Sequence, residues 1–198
     1  RKNTAAAVPY AYLVHWNTVQ SARFLAEILE NDLVVRYAEE GFSVEGQSHP
    51  AGTLVITKGD NRKHPDFAGT MQAAAAKFGI ELRSVQTGFV TTGRDFGSDG
   101  MRLVNKPNVL VLSGEKTSNN EFGQVWFYFD QELDYHATII DADQLSSTNL
   151  DDYNVLVLPE GYFSFSESTL EKLSGWVSSG GKLIAIGAAN RSLADKPG

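Results

Sequence analysis

The chain has 198 residues, 42% of them hydrophobic and 21% charged, the balance of a globular protein rather than a disordered one. A net charge of −7 with lysines and arginines scattered singly excludes a phosphate backbone as partner, so no nucleic acid is expected. The absence of cysteine excludes disulfides, thiolate metal sites and thiol catalysis, and no apolar run approaches the ~20 residues of a membrane span.

No charged-then-apolar leader opens the chain, so any export signal is expected to lie elsewhere. The opening RKNTAAAVP and the closing RSLADKPG read as cut ends, and the expectation is a fragment truncated at its C-terminus.

Tyr10 to His15 reads as a short strand, after which Asn17 or Thr18 can cap a helix with Ala22, Leu25, Ile28 and Leu29 on one face. Leu33 to Tyr37 reads as a strand. Gly41 to Thr57 holds two further short strands around the turn-forming Glu45-Gly46, Thr53 to Thr57 being the clearer. Pro65 suits the first turn of a helix in which Phe67, Met71, Ala74 and Phe78 share a stripe and Gly79 gives the stop. Ile80 to Val85 closes this smaller α/β unit, 1–88. The glycine-rich, aperiodic stretch that follows, 89–106, reads as a linker or structured loop.

The region 107–198 is more regular. Asn108 to Leu112, Thr138 to Ile140, Val155 to Leu158 and Leu183 to Ile186 are apolar strands. Phe122, Val125, Trp126, Phe129 and Leu133 share one side of an intervening helix. A second helix begins near Ser164 or Ser166, where Ser164 and Glu167 have capping-box spacing, and should bury Leu170, Leu173 and Val177. Strands apolar on both faces and separated by helices imply a parallel sheet covered on both sides, and right-handed crossovers then give a flavodoxin-like fold.

In such a sheet ligands gather beyond the carboxyl ends of the strands. The candidate binding residues are therefore Ser113, Glu115, Asp143, Glu160, Tyr162 and Asn190. Asp143 and Glu160 are carboxylates suited to acid–base work or a hard cation, against the plainer reading of acids on polar loops. The loop SGEKTSNN precedes a helix but lacks phosphate-loop spacing, so it reads as an ordinary capping loop. Of the four histidines, His15, His49, His64 and His136, none begins a paired-ligand spacing, and His15 and His136 read as structural. No G-x-S-x-G occurs, which leaves Ser178 and Ser179 poor nucleophiles. Most informative is the strand-to-helix turn after Ile186, where nucleophiles of α/β enzymes often sit. It holds Gly187, Ala188 and Ala189, none able to attack, take up a proton or bind a metal.

NVLVLPEGYF (154–163) and LSGWVSSGGKLIAIG (173–187) resemble the class I glutamine amidotransferase-like fold. Its active members carry a Cys at the turn after the strand matching Leu183 to Ile186, where this chain has Gly187 and Ala188, so amidotransferase activity does not carry over. PYAYLVHWN, VVRYAEEGFSVEGQSHPAGTLVIT, TGRDFGSDG, VLVLSGEKTSNNEFGQVWFYFDQEL and VLVLPEGYF together resemble the region downstream of the peptidase domain in large bacterial M14-family zinc carboxypeptidases. The family's HxxE zinc pair has no counterpart. The residues three places after His15, His49, His64 and His136 are Thr18, Gly52, Phe67 and Ile139.

The resemblance implies a non-catalytic accessory region with no cofactor of its own, zinc residing in the parent's peptidase domain. It implies that peptidase domain as partner and a secreted or periplasmic parent. The crevice would take a small molecule or peptide. Two alternatives remain: an independent hydrolase using Glu160, Asp143 and Ser113, and a carbohydrate-binding module using Tyr162 and Phe163.

Overall fold

The computed structural model describes residues 8–194. The ends that read as cut fall partly in 1–7 and 195–198, outside the described residues. The chain divides into two compact units, one ending at Asn105 and the other beginning at Lys106.

In the first unit, β1 (Ala11–Val14), β2 (Arg36–Ala38), β5 (Leu54–Thr57), β6 (Arg83–Val85) and β7 (Met101–Leu103) form one sheet in the order β6-β1-β5-β2-β7. All its pairings are antiparallel. β7 lies in the stretch 89–106, whose Val104 N–H also donates to the Val35 carbonyl (2.8 Å). β3 (Phe42–Val44) and β4 (Gln47–His49) form a separate hairpin, turned at Glu45 and Gly46, both with positive φ (48° and 77°).

Strand alternation divides the apolar side chains between the two faces of the five-stranded sheet. On one, Ala11, Leu13, Val55, Val85, Ala38 and Met101 form a core with Phe42 and Val44 of the hairpin and with Phe96. On the other, the Tyr12 ring meets Phe67 at 5.6 Å between centroids. Phe67 opens α2 (Phe67–Phe78), which packs against α1 (Val19–Glu30). Thr18 caps α1, its Oγ1 accepting the Ser21 N–H (3.2 Å), and burial centres on Phe24, Ala26, Ile28 and Leu29. Ala22 and Leu25, expected on the buried face, are only half-buried because the stripe is rotated toward Phe24. Asp66, not Pro65, begins α2 by accepting the Gly69 N–H (3.0 Å), and Gly79 ends it in the left-handed conformation (φ 65°).

The second unit contains a four-stranded parallel sheet, β8 (Val109–Ser113), β9 (Ala137–Asp141), β10 (Val155–Leu158) and β11 (Lys182–Ala185), in the order β11-β10-β8-β9. The chain as a whole is thus α/β, with an antiparallel sheet in one unit and a parallel one in the other. α4 (Glu167–Ser178) covers one face: Leu173 and Trp176 pack with Leu110, Leu112, Leu156, Leu158, Leu145 and Leu150. The Trp176 indole N–H donates to the Leu150 carbonyl (3.0 Å), satisfying its polar end inside the core. Val177, expected in the core, is 41% exposed; Trp176 occupies the inward position beside it. Ser166 caps α4 through the Thr169 N–H (3.2 Å), displacing the capping-box spacing of Ser164 and Glu167.

α3 (Asn119–Phe127) and the π-helical turn Tyr128–Glu132 contain no buried residue. The expected core stripe of Phe122, Val125, Trp126, Phe129 and Leu133 is therefore at most half-buried, and Trp126 is 44% exposed. Among the described residues no helix is long and apolar enough to cross a membrane.

Candidate functional site

A parallel sheet aims its strand-end loops at one edge, and four loops of the second unit meet there, after β8, β9, β10 and β11. Three of them, those after β8, β10 and β11, are drawn tight by a glycine. Gly114 (φ 101°) lies under the Asp141 carboxylate, which a Cβ at that position would strike. Gly161 lies against the Lys116 carbonyl, consistent with the antiparallel bridge between Thr117 and Gly161. Gly187 adopts φ 57°, and a Cβ there would stand 2.6 Å from Glu160 Oε2. The turn after β11 thus presents bare backbone with the Glu160 side chain laid over it.

The candidate residues take separate positions around this edge. Ser113 Oγ donates its proton to the Ile140 carbonyl (3.0 Å), tying β8 to β9. Glu115 is exposed on the loop after β8. Asp143 forms an ion pair with Lys116, and its N–H donates to Asp141 Oδ1 (2.9 Å). Glu160 is half-buried, and its carbonyl accepts the Ser118 N–H (2.8 Å), joining the β10 loop to the start of α3. Tyr162 is 73% exposed while its N–H donates to the Lys116 carbonyl (3.0 Å). Asn190 Nδ2 donates to the Ala185 and Gly187 carbonyls (3.2 and 3.1 Å), closing the 3-10 turn Gly187–Ser192.

Asp143 and Glu160 consequently face different neighbours, the first pairing with the Lys116 ammonium and the second lying near the Gly187 backbone. Ser113 spends its hydroxyl proton on a strand carbonyl. Among the described residues no group of three or more metal-ligating side chains converges.

A cavity of about 180 Å³ is lined by Lys116, Ala142, Asp143, Ser146, Ser164, Phe165, Ser166 and Thr169. Its wall combines one ion pair, four hydroxyl-bearing side chains and one aromatic ring, a surface that can exchange hydrogen bonds with a small polar ligand but offers no activated nucleophile. Of this set only Asp143 belongs to the candidate residues read from the sequence. Ser146 and Thr169 carry no local signature, being a loop serine and a first-turn threonine. The density of hydroxyls in SSTN and SFSEST is the single cue that could have marked them.

The first unit holds a different polar cluster. His15 Nε2 and His49 Nδ1 lie 3.1 Å apart, beside a second cavity of about 170 Å³ lined by His15, Asn17, Thr18, Ser21, Glu81 and Arg83, among others. Farther along the sheet, Arg36 grips Asp60 with both ends of its guanidinium (Nε–Oδ2 2.8 Å, Nη2–Oδ1 3.1 Å), and Thr57 Oγ1 donates to the same carboxylate (2.9 Å). The Arg36 hydrogen bonds hold the Asp60 carboxyl below its ordinary value against the opposing effect of burial, with the Thr57 bond and the Arg36 charge adding to the lowering.

No protein-family model matches the chain, and no curated protein matches it either.

Proposed function

We propose that this chain is a non-catalytic α/β accessory module of an M14-type zinc carboxypeptidase-like protein, and that its strand-end cavity binds a small molecule or the end of a peptide. The observation that carries the reading is the turn after β11. Gly187 there has a left-handed backbone, the Glu160 carboxylate lies over it, and no side chain of Gly187, Ala188 or Ala189 can act as nucleophile. The strand order of the second unit, 2-1-3-4 when its strands are numbered from β8, supports a flavodoxin-like, class I glutamine amidotransferase-like classification. In this reading zinc and peptide cleavage belong to the parent's peptidase domain, in a secreted or periplasmic protein, and the present segment supplies support and recognition.

The cavity favours a ligand with both an acceptor for Lys116 and the hydroxyls and a donor for Asp143, which a free peptide terminus with its adjoining amide provides. The test is isothermal titration of the chain with tetrapeptides carrying free or amidated C-termini, alongside an assay for released C-terminal residues in zinc-containing buffer. Binding that favours the free carboxylate and weakens about tenfold in Lys116→Ala, the loss of one charge-assisted hydrogen bond, supports the proposal when no residue is released. Release of C-terminal residues overturns it, as does equal or absent binding of both peptide series.

A second reading is favoured by Tyr162 alone, whose 73% exposed ring beside these loops could stack on a sugar. Retention on a glycan array that vanishes in Tyr162→Ala would replace the peptide by a carbohydrate.

A further inference from the structure

His15 follows β1 and His49 ends β4, so the five-stranded sheet and the hairpin each deliver one imidazole to the same point. The rings stand edge-on, 73° apart in plane with centroids at 5.4 Å, and His15 Nε2 to His49 Nδ1 is 3.1 Å. A hydrogen bond across that gap needs one nitrogen with a proton and one without. The pair therefore tolerates one added proton, which leaves a donor and an acceptor, but a second leaves two donors facing each other.

The surroundings make that second proton costly. His49 is 3% exposed and stacks on Phe42 (5.0 Å, 23°), which in turn meets Phe96 edge-on at 5.5 Å. Arg83 of β6 is the cation facing the pair, and it reaches Gln47 of the hairpin (3.4 Å). Its carboxylate partner Glu81 (3.3 Å) is 76% exposed, so most of that negative charge is dissipated in water. α1 offers only a hydroxyl, Ser21 Oγ donating to the His15 carbonyl (3.0 Å). Burial first, then the charges of His15 and Arg83, hold His49 below its ordinary value.

We propose that His15 and His49 form a proton-operated latch, which holds β4 over the apolar face of the five-stranded sheet and releases it in mild acid. The hairpin has other tethers on its β3 side, where Ser43 N–H donates to the Thr92 carbonyl (2.8 Å) and Thr91 N–H to the Ser43 carbonyl (2.8 Å). Release accordingly loosens β4 along its ladder with β3 (Phe42↔His49, Val44↔Gln47) rather than detaching the hairpin. The cavity of about 170 Å³ beside His15 gives a repelled imidazolium a path toward water.

The direction follows from linkage. The lowered folded value means the unfolded chain takes up the proton first, so the latch contributes fully above 6.5 and is lost as pH falls from there through the folded value.

The test is a nitrogen-detected NMR titration of the histidines in the intact chain, combined with amide exchange of Gln47 and His49 at pH 7 and pH 5, corrected for intrinsic chemistry. His49 titrating below 6.5, with exchange of these amides rising roughly five- to tenfold while Val55 and Ile56 hold, is expected for loss of one net hydrogen bond. In His49→Asn, whose side-chain amide falls near the place of Nδ1 and can replace the bond without titrating, the rise should disappear. The proposal is overturned if the hairpin amides of the wild-type chain track Val55 and Ile56, or if His49 titrates at or above 6.5. Both of these readings need no variant to fold.

Discussion

A methyl group added at Gly161 has no free space to enter, because the atom in its way is the backbone carbonyl oxygen of Lys116, with Thr117 Cα only 3.1 Å off. A flexible side chain could swing aside; a bridged backbone cannot. Gly161→Ala should therefore lower stability by about 1–3 kcal/mol, the usual penalty of overpacking, and loosen the wall to which Lys116 belongs. Gly175 makes the opposite case. It lies inside α4 with nothing within 4 Å of its would-be Cβ. Gly175→Ala should raise stability by about 0.5–1 kcal/mol, since alanine loses less backbone entropy on entering a helix. Urea melts of the two variants check both signs. Equal shifts for the pair would mean that the close approach of Gly161 to the Lys116 carbonyl does not govern this loop.

At the scale of elements, two helix starts that look alike in sequence differ in what their caps do. Thr18 Oγ1 accepts the Ser21 N–H at the start of α1, satisfying a donor that the helix cannot satisfy itself. Ser118 at the start of α3 makes no such bond and instead donates to the Glu121 carboxylate. Thr18→Ala should accordingly cost about 1 kcal/mol, and Ser118→Ala clearly less, measured by thermal melts. A larger loss for Ser118 would contradict the cap assignment. The contrast also explains what could be read from the chain. The strands β8 and β10 were legible because continuous runs such as VLVL have no polar face to offer solvent, whereas β11 alternates exposed and half-buried residues. α3 was legible as a helix but not as an exposed one, because periodicity reveals an apolar stripe and says nothing of whether another element lies upon it. The loops after the strands could be ordered from the sequence, whereas the pairing of Lys116 with Asp143 and the seating of Glu160 on Gly187 depend on how far each loop folds back. The partner of His15 was illegible because His49 is 34 residues away and across two sheets.

For the molecule as a whole, the acid response should be divided between the units because their titrating groups are. Among the described residues, both groups whose lowered values oppose protonation in the folded state, His49 and Asp60, belong to the first unit. Each contributes stability above its ordinary value, 6.5 and 3.8 respectively, and loses it as pH falls below. The first unit should therefore weaken in two stages, the later one carrying the larger loss: about 1–2 kcal/mol for the hydrogen-bonded Arg36–Asp60 pair, discounted for its partial exposure. The second unit holds a single histidine, His136, which is exposed. Trp176, 8% exposed and bonded to the Leu150 carbonyl, reports on that unit's core, while Trp16, 48% exposed, lies in the first. In a chain with Trp16 and Trp126 both replaced by phenylalanine, the emission of Trp176 should stay blue-shifted and unchanged from pH 7 to pH 5, the interval in which the hairpin amides of the first unit begin to exchange. A red shift of Trp176 at pH 5 would mean that the loss of order in mild acid extends beyond the unit that contains the two imidazoles, and the latch would then be one symptom of a general acid transition rather than its own device.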